Sequence, residues 1–235
     1  DVVHIPMPEP SEQNRGALIG RLRQLISEYQ PVAVVTAGST ISSSLACALD
    51  TSLPVWTDLF GDLLAEAQAK SAFAGSEQLE FFHSIYLPIL RRADMFSSVS
   101  QAQRFATIGQ LGILGRLDHH TLGYDFVHTI PCAFDGTISP VHRKRVLRGE
   151  TVSHTDFVIL CSGGFNTWAD VRTLFKGLDA AMSENRKIHV VVTGGAISGH
   201  HEEGYNFFTK SIRQSSNRDR YHTMGWVPTE DVDAY

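Results

Sequence analysis

The sequence predicts an α/β protein built from two parallel sheets, and three observations carry this prediction. First, short apolar runs of strand length alternate with helical patterns, as in parallel sheets covered by helices. Second, the alternation stops in the polar stretch 135–153 and then begins again. Third, the apolar runs at residues 157–161 and 188–193 each lead into a pair of glycines. Strands of parallel sheets turn into helices at such points, and ligands bind there.

The individual elements follow from the spacing of apolar residues. An apolar residue at every third or fourth position indicates a helix, whereas a short uninterrupted apolar run between turn residues indicates a buried strand. The predicted strands are residues 2–5, 32–36, 53–57, 94–100, 126–131, 157–161, 188–193 and 221–224. The predicted helices are residues 18–29, 42–49, 65–74, 77–92, 101–115, 171–182 and 207–215, with a last helix that begins at Glu230 and that Thr229 caps.

The polar stretch predicts a division into two domains. It contains Gly136, Pro140 and a basic cluster at residues 142–148, which indicates a solvated linker more than a binding patch. We therefore expect a first domain at residues 1–138, a linker at 139–155 and a second domain at 156–235. About 80 residues are few for a doubly wound domain. Because the chain also begins without Met and stops at a helix start, we expect a fragment truncated at both ends, with a processed mature protein as the alternative.

Composition excludes some classes of function. The chain has 20 basic and 25 acidic residues, a formal net charge of −5, which argues against a nucleic-acid binder. It has no apolar run of about 18 residues, so we expect no transmembrane segment, and peripheral membrane association remains open. The three cysteines, Cys47, Cys132 and Cys161, are far apart and are expected to be buried free thiols in a cytoplasmic protein.

The two glycine pairs are the first candidate site. They comprise Gly163 and Gly164 after one strand, and Thr193 and Gly194 at the end of another. Such loops let a phosphate approach backbone N–H groups at a helix N-terminus. The alternative is that the glycines serve only tight turns with positive φ. Neither loop is a P-loop or a dinucleotide fingerprint. Trp226, after the last strand, either flanks a nucleobase or packs in the core.

Carboxylates in the first domain form a second candidate site. Asp58, Asp62 and Glu66 follow the third predicted strand, where they are placed to hold sugar hydroxyls. The alternatives are a helix start for Asp62 and solvation for Glu66.

Other patterns are interpreted structurally. The evenly spaced glycines of residues 108–115 indicate close helix packing. The histidine pairs at 119–120 and 200–201 are expected on the surface, and no metal site is expected. Cys161 is expected to be a buried thiol and no nucleophile.

Several segments resemble one enzyme family. FVILCSGGFNTWADVRTLFKGL, VVVTGGAISGHHE and YHTMGWVPTEDVDAY resemble the C-terminal domain of group 1 glycosyltransferases, which are retaining and have the GT-B fold. ADMFSSVSQAQRF and VHTIPCAFDG resemble the end of that family's N-terminal domain. The resemblance implies two Rossmann-like domains, the first for a glycan, lipid or other acceptor and the second for a nucleotide-diphosphate sugar. It implies transfer with retention, no obligatory metal and no cofactor besides the donor.

The departures from the family pattern concern the donor's charge. The family's Arg and Lys correspond to Gly164 and Ala169 here, so backbone N–H groups between Gly163 and Asn166 would have to bind part of the diphosphate. The first glycine-rich loop and the E-x7-E motif are not present. The donor contacts that the resemblance implies are Gly163, Gly164, Asn166, Thr167, Thr193, Gly194, Trp226 and Val227.

These departures leave three readings open. One is a glycosyltransferase fragment with little activity of its own. The others are a non-catalytic GT-B-shaped binding module and a sugar-nucleotide epimerase.

Overall fold

The computed structural model describes residues 2–11, 13–133, 146–167, 169–197 and 203–235. The chain divides into two compact units, Asp1–Ala133 and Phe134–Tyr235. None of the helices in the described ranges combines the length and apolar character that crossing a membrane requires.

The first unit is a four-stranded parallel sheet with strand order β1-β2-β3-β4. Its elements are α1 (Arg15–Tyr29), β1 (Val34–Thr36), α2 (Thr40–Cys47), β2 (Val55–Leu59), α3 (Leu63–Ala74), α4 (Glu77–Arg92), β3 (Met95–Ser98), α5 (Gln101–Ile113) and β4 (Val127–Thr129). Side chains alternate across β2, so Val55 and Leu59 are buried in the core while Asp58 lies half-buried on the other face. Helices α2, α4 and α5 and strands β3 and β4 contribute further residues to that core.

The second unit is a three-stranded parallel sheet with order β5-β6-β7. Its elements are β5 (Phe157–Ser162), α6 (Val171–Glu184), β6 (Ile188–Thr193), α7 (Glu203–Gln214), a 3₁₀ helix (Arg218–Arg220), β7 (Tyr221–Gly225) and a second 3₁₀ helix (Thr229–Ala234). One face of the sheet packs Val190 and Val192 against Met182 and Phe208 of the helices. Leu147, from the stretch predicted as a linker, is buried with Val191 on the opposite face.

The predicted fold class is confirmed: strands alternate with helices in both units, and every strand pair is parallel among the described residues. Two element predictions are wrong. Residues 2–5 form no strand, because no neighbouring strand pairs with them, and Val2 is 98% exposed. Thr229 caps no α-helix; it is the first residue of a 3₁₀ helix whose capping position is Pro228.

The expectation of three buried cysteines is also wrong in part. Cys132 is exposed beyond β4, and Cys47 and Cys161 are half-buried. All three are free thiols. Burial raises the pKa of Cys47 to about 11 and also raises the pKa of Cys161. Since a thiolate is the reactive form, this shift favours the less reactive protonated thiol at both positions.

Candidate functional site

The candidate site lies at the carboxyl edge of the second sheet, where the loops after β5, β6 and β7 meet. Backbone hydrogen bonds join the three loops. Gly163 N–H donates to the Thr193 carbonyl (3.0 Å), Phe165 N–H to the Gly195 carbonyl (2.9 Å), and Gly194 N–H to the Gly225 carbonyl (2.6 Å). The parallel pairing of the strands therefore continues into the loops and fixes their relative positions.

This pairing reduces the number of backbone donors available to a ligand. The sequence analysis assigned N–H groups between Gly163 and Asn166 to a diphosphate, but those of Gly163 and Phe165 are already bonded to the β6 loop. The N–H groups of Gly164 and Asn166 donate to no partner in the described part of the chain. Half of the expected cradle is therefore structural, because alternate residues of an extended segment point their N–H groups in opposite directions.

Two different physical reasons account for the glycines at these positions. Gly163 and Gly194 have positive φ, +122° and +105°, as the alternative reading in terms of tight turns predicted. A Cβ on Gly194 would also overlap the carbonyl oxygen of Gly163. Gly164 lacks a positive φ, but a Cβ there would collide with Ile197 and lie 3.1 Å from Cη2 of Trp226. A side chain at position 164 would therefore require the Ile197 and Trp226 side chains to move.

Trp226 lies across both glycine loops with its ring open to solvent. Its Nε1 lies 3.4 Å from the Cβ position of Gly195, and its ring also approaches Gly164. The side chain is 64% exposed, so the alternative of core packing is wrong. An aromatic plane supported from behind by two loops is a surface on which a planar ligand can stack.

The remaining predicted donor contacts differ in availability. The Asn166 Oδ1 atom is buried and has no hydrogen-bond partner in the described part of the chain. The Thr193 hydroxyl is buried and donates to Ser162 Oγ (2.9 Å), so it supports the loop from inside. Thr167 makes an interaction within the chain, and Val227 is half-buried beside Trp226 in sequence. Asn166 thus stands out as the polar side chain with unused capacity.

The start of helix α6 adds a negative charge to this edge. Asp170 is the capping residue, and its carboxylate accepts from Thr173 N–H (3.1 Å). Hydrogen bonding from Thr173, first from its side chain and then from its backbone N–H, lowers the pKa of Asp170 below its ordinary value. The nearest cation on the helix, Arg172, lies over the Phe207 ring at 4.3 Å from its centroid. Neither group replaces the Arg and Lys that the family pattern has.

The carboxylates of the first unit are placed at the carboxyl edge of β2. Ser97 Oγ donates to Asp58 Oδ1. Asp62 caps α3, accepting from the N–H groups of Leu64 and Ala65 at 3.1 Å each, so the helix-start alternative describes it. The Glu66 carboxylate lies beside Gly61: a Cβ added to this glycine would be 2.6 Å from Glu66 Oε1.

Sequence reasoning missed the role of Gln103 at this edge. Its Nε2 donates to the carbonyls of Leu59 (2.8 Å) and Gly61, and its Oε1 accepts from Val99 N–H (3.0 Å). The Ser100 hydroxyl accepts from Gln103 N–H (3.2 Å). Ser100-x-x-Gln103 is the spacing of a capping box, which was the available signal. Gln103 therefore ties the loop after β2 to the start of α5.

The described ranges contain no group of three or more His, Cys, Asp or Glu side chains arranged to hold a metal ion. His119 and His120 are exposed, as expected. The second histidine pair, residues 200–201, lies outside the described residues.

Comparison with known proteins identifies the fold. No protein-family model matches the sequence, and no curated protein gives a significant match. Among solved structures, HepE of Anabaena in complex with UDP-glucose is similar over 95% of this chain and 55% of its own, with 16% identity and a TM-score of 0.60. Sucrose-phosphate synthase of Thermosynechococcus elongatus matches over 97% and 54%, with 15% identity and a TM-score of 0.62.

A third structure agrees with these two. A glycosyltransferase of Rickettsia africae matches over 99% of this chain and 56% of its own, with 14% identity and a TM-score of 0.58. The chain thus spans about half the length of the solved structures it matches. At identities this low the likeness concerns the fold, which is that of GT-B glycosyltransferases: Rossmann-like units with parallel sheets.

Proposed function

We propose that the chain is the substrate-binding part of a retaining glycosyltransferase that uses a nucleotide-diphosphate sugar. The observation that carries this proposal is the carboxyl edge of β5–β7, where locked glycine loops lie against the exposed ring of Trp226. The likeness to HepE, which was solved in complex with UDP-glucose, supports it. This chain covers about half the length of HepE. That a longer protein containing this chain transfers sugar is therefore itself part of the proposal.

The donor's diphosphate would lie on the loop after β5. The N–H groups of Gly164 and Asn166, which have no partner among the described residues, and the N-terminus of α6 supply donors and a positive field there. The loop segments 163–167 and 194–197 contain no Arg or Lys. Neutral, preorganised donors would therefore bind this anion. The negatively charged Asp170 carboxylate would weaken diphosphate binding, since like charges repel.

The nucleoside would lie between Trp226 and Asn166. The exposed Trp226 ring offers a stacking surface for the base. An unpaired buried acceptor such as Asn166 Oδ1 costs about 1–3 kcal/mol, which a ligand hydroxyl or amide donor would recover. A bound nucleoside would cover the exposed Trp226 ring and give the Asn166 Oδ1 atom a partner, so both features favour the bound state.

The reaction would exchange one bond at the sugar's anomeric carbon for another. The bond from that carbon to the β-phosphate oxygen breaks, and the nucleoside diphosphate leaves with the electron pair. A hydroxyl oxygen of a glycan, lipid or other acceptor forms the new bond on the same face, and its proton is lost to the leaving diphosphate. In the first unit Asp58, oriented by Ser97, is the candidate contact to an acceptor hydroxyl.

Calorimetric titration of the chain with UDP, GDP, ADP and CMP tests this proposal. We expect one nucleotide to bind. Trp226→Ala should weaken that binding by about 1–3 kcal/mol, the usual contribution of a base stacked on an aromatic ring. Phe157→Ala is the matched control: Phe157 is 62% exposed, against 64% for Trp226, and lies at the opposite end of β5. Binding unaffected by Trp226→Ala, or equally weakened by both variants, would contradict the assignment.

A second candidate is a binding module of the same shape without catalysis. It is favoured by position 164, where glycine stands in place of the family's arginine and a longer side chain would displace Ile197 and Trp226. Assays for transfer of labelled sugar by the intact natural protein separate the two candidates, since only the enzyme gives a product. We expect the 235-residue chain alone to show little or no transfer.

A further inference from the structure

A small cavity of the first unit lies between the start of α1 and the helices α2 and α4. Its volume is about 250 Å³, below the roughly 300–1,000 Å³ of sites for drug-sized ligands. Ile41 of α2 and Phe81, Ile85 and Pro88 of α4 form the apolar part of its wall. The three α4 residues lie at helical spacing on one side of that helix. The cavity therefore has room for a small molecule with an apolar part.

The exposed side of α5 lacks a comparable enclosure. The expectation of close helix packing at residues 108–115 is wrong within the described residues, because a Cβ on Gly109 would meet no atom within 4 Å. A Cβ on Gly112 would meet only Leu117, at 3.4 Å. Where α1, α2 and α4 meet, by contrast, side chains from three helices surround a space.

The positive charge of this cavity comes from Arg15, the first residue of α1. Its half-buried guanidinium donates to Ser44 Oγ (2.7 Å) and to the Ser44 carbonyl (3.3 Å). Because Ser44 is only 5% exposed, these bonds hold the guanidinium in the cavity wall. A guanidinium has five N–H donors. The other three have no acceptor among the described residues, so they are available to a ligand.

Within the described part of the chain, no carboxylate forms an ion pair with Arg15, and none lines the cavity. Two other arginines of this unit show the usual arrangement. Arg92 lies 2.9 Å from the Asp94 carboxylate, and Arg104 lies 2.9 Å from that of Asp125. A partly buried charge without a counter-charge costs free energy. An anion bound in the cavity would supply that counter-charge.

Serine hydroxyls add neutral donors around the guanidinium. Ser44 Oγ accepts from Arg15, so its own O–H remains to donate. Ser11, which also lines the cavity, accepts at its Oγ from Asn14 N–H (3.3 Å) and likewise keeps its O–H. Arginine binds carboxylate and phosphate oxygens through charge-assisted hydrogen bonds. The polar end of the cavity therefore has the donors that such an anion requires.

We propose that this cavity binds a small organic anion. The carboxylate or phosphate group of that molecule would meet Arg15, and its apolar part would lie against Phe81 and Ile85. The apolar wall favours an organic anion over an inorganic one, because only apolar surface gains free energy by leaving water. This site goes beyond the proposed function, since it lies in the first unit and shares no residue with the nucleotide position.

Calorimetric titration of the 235-residue chain with phenyl phosphate and with benzoate tests this proposal. Inorganic phosphate, which lacks the ring, and phenol, which lacks the charge at neutral pH, are the matched control ligands. We expect at least one of the two aromatic anions to bind with a roughly millimolar Kd, and both controls to bind at least about tenfold more weakly. The tighter of the two anions identifies the preferred acidic group. Failure of both anions to bind, or a control ligand that binds as tightly as they do, would overturn the proposal.

Arg15→Met removes the positive charge and should weaken anion binding at least about tenfold, the loss expected for a charge-assisted hydrogen bond. Arg23→Met is the matched control, because Arg23 is an exposed residue of the same helix that does not line the cavity. Trp226→Ala should also leave this binding unchanged, which separates the cavity from the nucleotide position. Binding that persists in Arg15→Met, equal weakening by Arg23→Met, or loss of binding in Trp226→Ala would overturn the assignment.

Ser84→Asp tests the same site without removing Arg15. Ser84 is an exposed residue of the cavity wall, and its hydroxyl donates to the Phe81 carbonyl (2.7 Å) within the same helix. A carboxylate at this position would take the place of the bound anion. We therefore expect anion binding to be lost while the midpoint of thermal unfolding stays the same or rises. Anion binding that persists in Ser84→Asp would overturn the proposal, even if Arg15→Met failed to fold.

Discussion

The carboxyl edges of the two sheets are held in different ways. In the second unit, backbone atoms join the loops to one another, as when Gly163 N–H donates to the Thr193 carbonyl. In the first unit a side chain joins the segments instead: the Gln103 amide donates to two carbonyls at the end of β2 and in the loop after it. Backbone joining requires glycine conformations but leaves side chains such as Trp226 available to a ligand. Side-chain joining allows ordinary residues in the loop but concentrates its stability in one glutamine.

Substitution of Gly194 should have the largest effect on stability and is the strongest test of this comparison. Gly194→Ala combines a positive φ with an overlap onto the Gly163 carbonyl, so we expect a loss of about 3 kcal/mol or more in the second unit's free energy of unfolding. Gly225→Ala is the control, because Gly225 also has a positive φ (+72°) but its Cβ would meet open space. Urea titrations measure both. If the two variants lose equal stability, the loops are not locked by close backbone approach.

Gln103→Ala tests the other edge and should have the next largest effect. It leaves the Leu59 and Gly61 carbonyls and the Val99 N–H without their partner, a loss of about 2 kcal/mol. Gln101→Ala, at an exposed site on the same helix, should change stability by no more than about 0.5 kcal/mol. Equal losses from the two glutamines would show that Gln103 does not hold the loop.

Replacing either capping aspartate should have a smaller effect on stability, and the two replacements should differ in their effect on nucleotide binding. Asp62→Ala should cost about 1 kcal/mol, the usual contribution of a helix cap, and should leave nucleotide affinity unchanged. Asp170→Ala removes a cap of the same kind, but it also removes a negative charge beside the proposed diphosphate position. We expect it to destabilise the second unit while tightening nucleotide binding. Calorimetry that shows weaker binding after Asp170→Ala would place the diphosphate elsewhere.

The smallest effect is a pH response that should separate the two units. Burial, reinforced by the neighbouring His189, lowers the pKa of His222, whose Nε2 lies 3.0 Å from His189 Nδ1. Because its folded-state pKa lies below the ordinary value of about 6.5, its stabilising contribution is complete above that pH and is lost as the pH falls through the folded-state pKa.

The control uses a carboxylate of the first unit whose pKa is shifted in the same direction but which titrates in a lower pH range. Hydrogen bonding to Arg104 lowers the pKa of Asp125 in the first unit, so its contribution is complete above the ordinary value of about 3.9 and is lost only at lower pH. Between pH 7 and 5 the second unit should therefore weaken through His222, and His222→Gln should reduce that response. Thermal unfolding at a series of pH values measures it, and an unchanged pH profile in His222→Gln would assign the response to another group.

The sequence predicted the alternation of strands and helices because periodicity depends on which face of an element is buried. It failed at residues 2–5, where an apolar run alone cannot show whether a neighbouring strand exists. In the site, the strand-to-loop glycines were predicted from their positions, but the division of Gly163–Asn166 into bonded and free N–H groups depends on pairing with a loop some 30 residues away. Gln103 was missed because its side chain bonds only to backbone groups, which every residue has.

The backbone joining of the second edge separates folding from recognition. Glycines 163, 194 and 225 hold the loops by their conformations. The Trp226 ring is exposed and the Asn166 Oδ1 atom has no partner in the described part of the chain, and neither side chain takes part in the backbone hydrogen bonds that join the loops. Replacement of the latter pair should change which ligand is preferred at little cost to folding. Under the proposed function, donor preference could therefore evolve through single substitutions at this edge, while its glycines are retained for folding.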